Sequence, residues 1–357
     1  MRHRSLACAM LVTAVLTPAT AASAASPQTG TAGVGTPTCT WRSSALSVPA
    51  GETGEVTATD GAGGFAGVAR ANGVTNHVVA WKDGKYTDYG RIESIYHSKV
   101  NDESRSGTVV GTAAFSAFGS SASRAFRSTG GRLEVLPIPS GYSMAGAVAV
   151  NDAGDVTGYV WKSGANNTAV RWPADRPGTV VVLPGLTPGY PYTRPIAVDE
   201  DGSMLVETTQ YDVAIWRDGV VTPLEIPPGV QYPQGVDLSN GRAVGYGTYA
   251  DGTPVGLYWD QQGTGHVLPN SSHHISNGNP LFTINRDGLI IGRIDEAHGG
   301  DDSAGTGYGV WSQGAWVSTF GDLRTDFPVK LGDDGTVGGY RIAADGHPRL
   351  PYAWRCR

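Results

Sequence analysis

Residues 145–172, AGAVAVNDAGDVTGYVWKSGANNTAVRW, hold three short β-prone runs separated by turn chemistry. Ala147–Val150 is apolar, Asn151-Asp152-Ala153-Gly154 is a turn sequence, Asp155–Trp161 is a second run with Gly158 inside it, and Thr168–Trp172 ends a third on an aromatic. Gly and Asn accept the positive φ of tight hairpin turns, so short Val-, Thr-, Tyr- and Trp-rich runs bounded by them read as a small antiparallel sheet.

The unit recurs along the chain. The aromatic that closes its third run returns at Trp81, Phe126, Trp172, Trp216, Trp259, Trp311 and Trp354, with gaps of 45, 46, 44, 43, 52 and 43 residues. The Gly of the first turn returns independently at Gly63, Gly107, Gly154, Gly202, Gly241, Gly288 and Gly335. Four residues beyond six of these stands another Gly, the exception being Val206. A period of about 45 residues holding four short strands marks a propeller blade. The fourth strands are expected at Leu133–Pro137, Val180–Pro184, Val220–Ile226 and His266–Pro269. No 3.6-residue apolar period supports a helical solenoid.

The fold class expected is therefore all-β, a seven-bladed β-propeller of four-stranded antiparallel blades. The seventh unit ends after Trp354 without a fourth strand, and Ser43–Pro49 matches the fourth-strand pattern of Arg132–Gly141. An N-terminal strand completing the last blade would close the ring and leave no unpaired edge. Cys39 and Cys356 flank that seam and are expected to form a disulfide, the default for an even cysteine count in an exported chain.

Residues 1–24, with Arg2 and Arg4 ahead of an apolar stretch and Ala22-Ser23-Ala24 behind it, read as a secretory signal peptide. Residues 25–38 read as a flexible Gly/Thr/Pro leader, and 39–357 as a single propeller domain. The expected location is extracellular, with no membrane anchor, because the apolar stretch falls short of the roughly 20 residues that span a bilayer. Removal of Arg2 and Arg4 leaves 24 basic against 32 acidic residues, a net charge of −8, which disfavours nucleic acid.

The Asn-x-x-Gly-x-x-x-Gly step at Asn151–Gly158 and Asn285–Gly292, with Trp-x-x-Gly at Trp81–Gly84, Trp216–Gly219 and Trp311–Gly314, resembles the bacterial extracellular His-Ala-Phe (HAF) repeat family. His77-Val78-Val79-Ala80-Trp81 keeps the His and the Trp of that pattern, and the other copies depart from the triplet. The resemblance implies secretion and a propeller, and it carries no catalytic residues to transfer.

Function is expected in what the copies do not share. With first strands innermost, the loops from fourth strand to next first strand share one face with the second-to-third-strand loops. Tyr96, His97, Tyr142, Tyr190, Tyr192, Tyr232, His273 and His274 are expected in the interblade loops, ringing the mouth of the channel, where aromatic rings suit a glycan or an extracellular protein. The plain alternative is that these turns pack over the blade ends. Asp295, His298 and Asp302, in the insertion of the sixth unit, are weak metal-ligand candidates in what otherwise reads as a solvated acidic loop. No nucleophile elbow, zincin helix or spare cysteine points to catalysis or to a cofactor. The leading expectation is a monomeric, non-enzymatic binding scaffold without cofactor. A carbohydrate-active hydrolase or lyase is the runner-up, with Glu93, Asp199, Asp237 and Asp295 as the acids to consider. A structural repeat protein without a small ligand is the third.

Overall fold

The structure is a computed structural model. It describes residues 40–71, 75–92, 97–114, 123–164, 166–186, 194–208, 213–271, 282–294, 307–342 and 349–356, all within the compact unit Thr38–Arg357. The described residues form 28 strands. They are β1 (Trp41–Ala45); β2 (Glu52–Thr59), β3 (Phe65–Ala71), β4 (Thr75–Lys82) and β5 (Lys85–Gly90); and β6 (His97–Glu103), β7 (Val109–Ala114), β8 (Ser123–Thr129) and β9 (Arg132–Val135). Next come β10 (Met144–Val150), β11 (Val156–Trp161), β12 (Thr168–Trp172) and β13 (Val181–Val182); and β14 (Arg194–Val198), β15 (Met204–Glu207), β16 (Val213–Arg217) and β17 (Val220–Pro223). The chain continues with β18 (Val230–Ser239), β19 (Arg242–Tyr249), β20 (Pro254–Trp259) and β21 (Gly265–Val267), then β22 (Phe282–Ile284), β23 (Leu289–Arg293), β24 (Tyr308–Ser312) and β25 (Ala315–Phe320). It closes with β26 (Asp326–Leu331), β27 (Val337–Ile342) and β28 (Arg349–Cys356).

These strands make seven four-stranded antiparallel sheets, the blades of a β-propeller. Six blades use consecutive strands, and the seventh has the order β1-β28-β27-β26, so the N-terminal strand completes the last blade as expected. The closing pair runs from Trp41 opposite Cys356 to Ala45 opposite Tyr352. The strand begins and ends earlier than the Ser43–Pro49 read from the sequence, and β9, β13 and β21 likewise stop short of Pro137, Pro184 and Pro269. Proline has no N–H to offer a ladder. One more rung forms before each stop, where a leucine N–H bonds the neighbouring strand: Leu46 to Pro351, Leu136 to Ala125, Leu183 to Ala169, Leu224 to Val213 and Leu268 to Gly256, all at 2.9–3.0 Å.

The core lies between blades. The buried side chains described fall into seven clusters, one at each blade-to-blade interface. The third-strand aromatic of every blade belongs to the cluster it shares with the preceding blade. Five of these tryptophans also donate Nε1–H to the carbonyl just past that blade's leucine: Trp81 to Ser47 (2.7 Å), Trp172 to Pro137 (2.8 Å), Trp216 to Pro184 (2.7 Å), Trp259 to Glu225 (2.7 Å) and Trp311 to Pro269 (2.8 Å).

The recurrent second-strand glycine has a separate cause. Six first strands carry a bulge, at Val56/Ala58, Val100/Asp102, Ala147/Ala149, Pro195/Ala197, Gly235/Asp237 and Pro328/Lys330. The bulge turns a carbonyl toward the next strand. A Cβ at Gly67, Gly111, Gly158, Gly245 or Gly339 would overlap the carbonyl oxygen of Glu55, Lys99, Gly146, Gln234 or Phe327 respectively. Gly158→Ala should therefore cost about 3 kcal/mol, at the upper end of overpacking penalties. Trp172→Phe should cost about 1–3 kcal/mol, because the Pro137 carbonyl loses its donor. Urea denaturation of both variants measures this, and midpoints unchanged from the parent would contradict it.

Candidate functional site

The seven first strands enclose a central channel of about 600 Å³. Each strand enters from an interblade loop and leaves through the first hairpin of its blade, so the channel has an interblade-loop end and a hairpin end. A side chain's height depends on its position relative to the bulge. Just past the bulge, in register, stand Ala58, Asp102, Ala149, Ala197, Asp237 and Lys330, and Thr283 holds that height in β22. Three blades keep the small residue, and three carry a charge.

The charges form a relay across blades 2, 5 and 7. The Lys330 ammonium donates to Asp237 Oδ1 at 2.7 Å. Asp237 also accepts from Leu238 N (3.0 Å), Thr283 Oγ1 (2.9 Å) and Ile284 N (3.2 Å), so its oxygens take four hydrogen bonds. Thr283 Oγ1 in turn accepts from Leu331 N (3.1 Å). Asp102 Oδ2 accepts from Val150 N at 2.9 Å. Burial works against the Lys330 ammonium, but Asp237 and Asp102 outweigh it and hold its pKa above the ordinary lysine value. Burial pushes Asp102 up to about 6, opposed by Lys330 and by the Val150 N–H.

Beside the relay, Glu103 is buried with Oε2 unpartnered. Burial, reinforced by Asp60, raises its pKa to about 8. Asp60 accepts the Lys82 ammonium and the backbone N–H groups of Ala62 (2.8 Å) and Gly64 (2.7 Å).

The hairpin end is tied from blade to blade. Arg105 N donates to Asp152 (2.7 Å), Asp152 N to Glu200 (2.8 Å), and Asn240 N and Gly241 N to Asp199 (3.0 and 2.6 Å). Asn240 Nδ2 donates to the Arg286 carbonyl (3.1 Å), Arg286 N to Asp333 (2.9 Å) and Asp334 N to the Gly61 carbonyl (3.0 Å). The acidic turns of this end are therefore clamps between blades. Asp199, one of the acids considered for hydrolysis, belongs to this set.

Two rungs toward the interblade-loop end, just before the bulge, the channel carries Lys99 on β6 and Arg194 on β14, with Tyr159, Gln234 and Tyr246 beside them. Arg194 Nε pairs with Glu207 at 2.9 Å, and the Tyr246 hydroxyl donates to Gln234 Oε1. Burial, and then Arg194, lower the Lys99 ammonium below the ordinary lysine value. Lys99 makes no hydrogen bond or ion pair among the described residues.

Of the residues picked from the sequence, Tyr96, Tyr190, Tyr192, His273 and His274 lie outside the described residues, as do Glu93, Asp295, His298 and Asp302. His97 opens β6 and is half-buried. Tyr142 packs against the cluster between blades 2 and 3 and donates its hydroxyl to Thr168 Oγ1 at 3.0 Å. Tyr232 stands on β18 with φ +52° and is 53% exposed. Sequence reading missed Lys99, Asp102, Arg194 and Lys330, which align only once the bulge is known. Among the described residues no group of three or more His, Cys, Asp or Glu is arranged to hold a metal ion, and no helix is long and apolar enough to cross a membrane.

No protein-family model matches the sequence, and no curated protein matches it. Solved structures match the fold. A prolyl endopeptidase structure is similar over 84% of this chain and 48% of its own, with 13% identity and a TM-score of 0.56. TolB from Acinetobacter baumannii is similar over 58% of this chain and 51% of its own, with 15% identity and a TM-score of 0.41. A gluconolactonase from Xanthomonas campestris covers 89% and 90%, with 14% identity and a TM-score of 0.39. The chain spans about half the length of the first two. At these identities the likeness concerns the propeller alone.

Glu103 gives the site a pH signature. A carboxyl whose folded pKa lies near 8, above its ordinary 4.5, binds more protons folded than unfolded, so its contribution to stability is lost as pH rises from about 4.5 to 8. Glu103→Gln should stabilise the protein relative to the parent at pH 8 and much less at pH 5. Thermal melts at the two pH values measure it, and an equal offset at both would contradict it.

Proposed function

We propose that the chain is a secreted, monomeric binding protein of the His-Ala-Phe repeat type, without catalysis of its own, whose ligand enters the channel from the interblade-loop end. The observation that carries this reading is the departure of the channel wall from the repeat. Just past the bulge, where blades 1, 3 and 4 present Ala58, Ala149 and Ala197, blades 2, 5 and 7 present Asp102, Asp237 and Lys330, and at the height before the bulge Lys99, Arg194 and Gln234 line the channel. Asp102, Asp237 and Lys330 also tie blades together, whereas the Lys99 ammonium makes no such contact among the described residues, and a ligand site gives it a use. The ligand class is a glycan, consistent with a polar wall rich in hydroxyl, amide and charged groups.

A carbohydrate-active hydrolase is the second reading, favoured by one observation: Asp102, with its pKa near 6, shares the channel with Asp237, a split in environment that suits an acid beside a base. Against it, Lys330 already occupies Asp237. Incubating the protein with a glycan and polysaccharide panel separates the two. Binding without release of reducing ends is the expected outcome, and turnover abolished by Asp102→Asn would overturn it.

The bridge between Cys39 and Cys356 is part of the proposal. Cys39 lies outside the described residues; Trp41, two residues further along the sequence, lies opposite Cys356 in the closing register. Cys39→Ser should lower stability by about 3–5 kcal/mol by the loop-entropy estimate. An unchanged Tm would remove the bridge from the account.

A further inference from the structure

We propose that the interblade-loop half of the channel binds the carboxylate of an acidic sugar between Lys99 of blade 2 and Arg194 of blade 4. This rests on the binding reading above and names its ligand class. Lys99, Gly146 and Arg194 occupy one position of the repeat in successive blades, each opposite the residue that follows the second-strand glycine position: Thr112, Tyr159 and Glu207. Blade 3 thus sets no side chain of its first strand between the two cations. Instead the Tyr159 phenol lies over Gly146, where a Cβ would meet its ring carbon at 3.2 Å, its hydroxyl at 3.3 Å and Thr112 Oγ1 at 3.0 Å.

The result is a notch with a phenol floor and a cation on either side. Glu207 takes Arg194 Nε, while Lys99 has no counter-ion among the described residues. The two cations repel each other, and that repulsion adds to burial in depressing the Lys99 ammonium. A ligand carboxylate between them would satisfy both, with guanidinium and ammonium donating to its two oxygens. Tyr159, Tyr246 and Gln234 add hydroxyl and amide groups on the same side. Such groups match the hydroxyls of a sugar ring, which an acidic peptide terminus lacks, and a channel of about 600 Å³ admits one or two sugar rings.

The test is titration calorimetry of the full mature chain with sodium glucuronate and a galacturonate disaccharide. Glucose, galactobiose and an N-acetylated dipeptide acid serve as comparisons. Uronate binding is expected, weakened by added salt, reduced at least about tenfold in Lys99→Met and kept in Lys99→Arg. Lysine NMR on the same samples should show the Lys99 pKa rising when uronate binds, a readout independent of affinity. A Lys99→Met protein that melts like the parent and binds uronate equally well would overturn the proposal. Dipeptide acid binding as tightly as uronate would overturn the sugar assignment. Neutral sugars binding as tightly as uronates would remove the acid class and leave the binding reading standing. No binding to any glycan on the panel would remove both.

Discussion

The interaction on which this molecule depends is a hydrogen bond from an indole N–H to a carbonyl one blade away. The third-strand tryptophan fills the interface with the preceding blade, and its Nε1 donates to the carbonyl that follows that blade's terminal leucine. Each part has a reason. The leucine N–H makes the last rung of the ladder and its side chain enters the interface cluster; the next residue supplies the acceptor, and in blades 2, 3 and 5 it is a proline with no N–H to place. A buried indole without an acceptor would cost about 1–3 kcal/mol, so aromatic and carbonyl are fixed together. Where blade 2 has Phe126, the requirement lapses. Trp354, in the blade completed by β1, packs near Phe320 with its Nε1 unpartnered.

That interaction is repeated, which is why the scaffold was legible in the sequence. Seven copies of an aromatic at a spacing near 45 residues carry the blade count, and the Pro-ended runs mark where strands stop. The Asn that opens the first turn of blades 3 and 6 was legible for the same reason: Asn151 Oδ1 accepts from Asp155 N and Asn285 Oδ1 from Leu289 N, local bonds within the turn. The glycine four residues beyond the turn glycine was visible, but its cause was not. It answers to a bulge in another strand, and a bulge leaves no residue type of its own.

The channel was illegible for the opposite reason. Lys99, Asp102, Arg194 and Lys330 occur once each, in three blades, and their heights depend on an extra residue in the strand that bears them. Asp199, weighed in the sequence as a candidate acid, holds the neighbouring blade by its backbone N–H groups, as Asp333 does. Tyr142 looked like part of a binding rim and spends its hydroxyl on Thr168. A search of each blade for the residue that breaks the small-residue rule just past the bulge would have found Asp102, Asp237 and Lys330. The two ends of the channel then divide the work. The hairpin end is saturated with contacts between blades, and the interblade-loop end keeps a cation with no partner among the described residues.

All of this requires that the ring be closed, with β1 as much a part of the seventh blade as β28. Native-state hydrogen exchange of the β1 amides and of the Leu46 amide, which donates to the Pro351 carbonyl at 2.9 Å, tests closure directly. In a closed ring these amides open only when the whole propeller does, so their exchange free energies should equal those of β10 and β11. Exchange at β1 many times faster than in those strands, with the rest of the ring still protected, would show that the ring stands without its N-terminal strand and contradict the account.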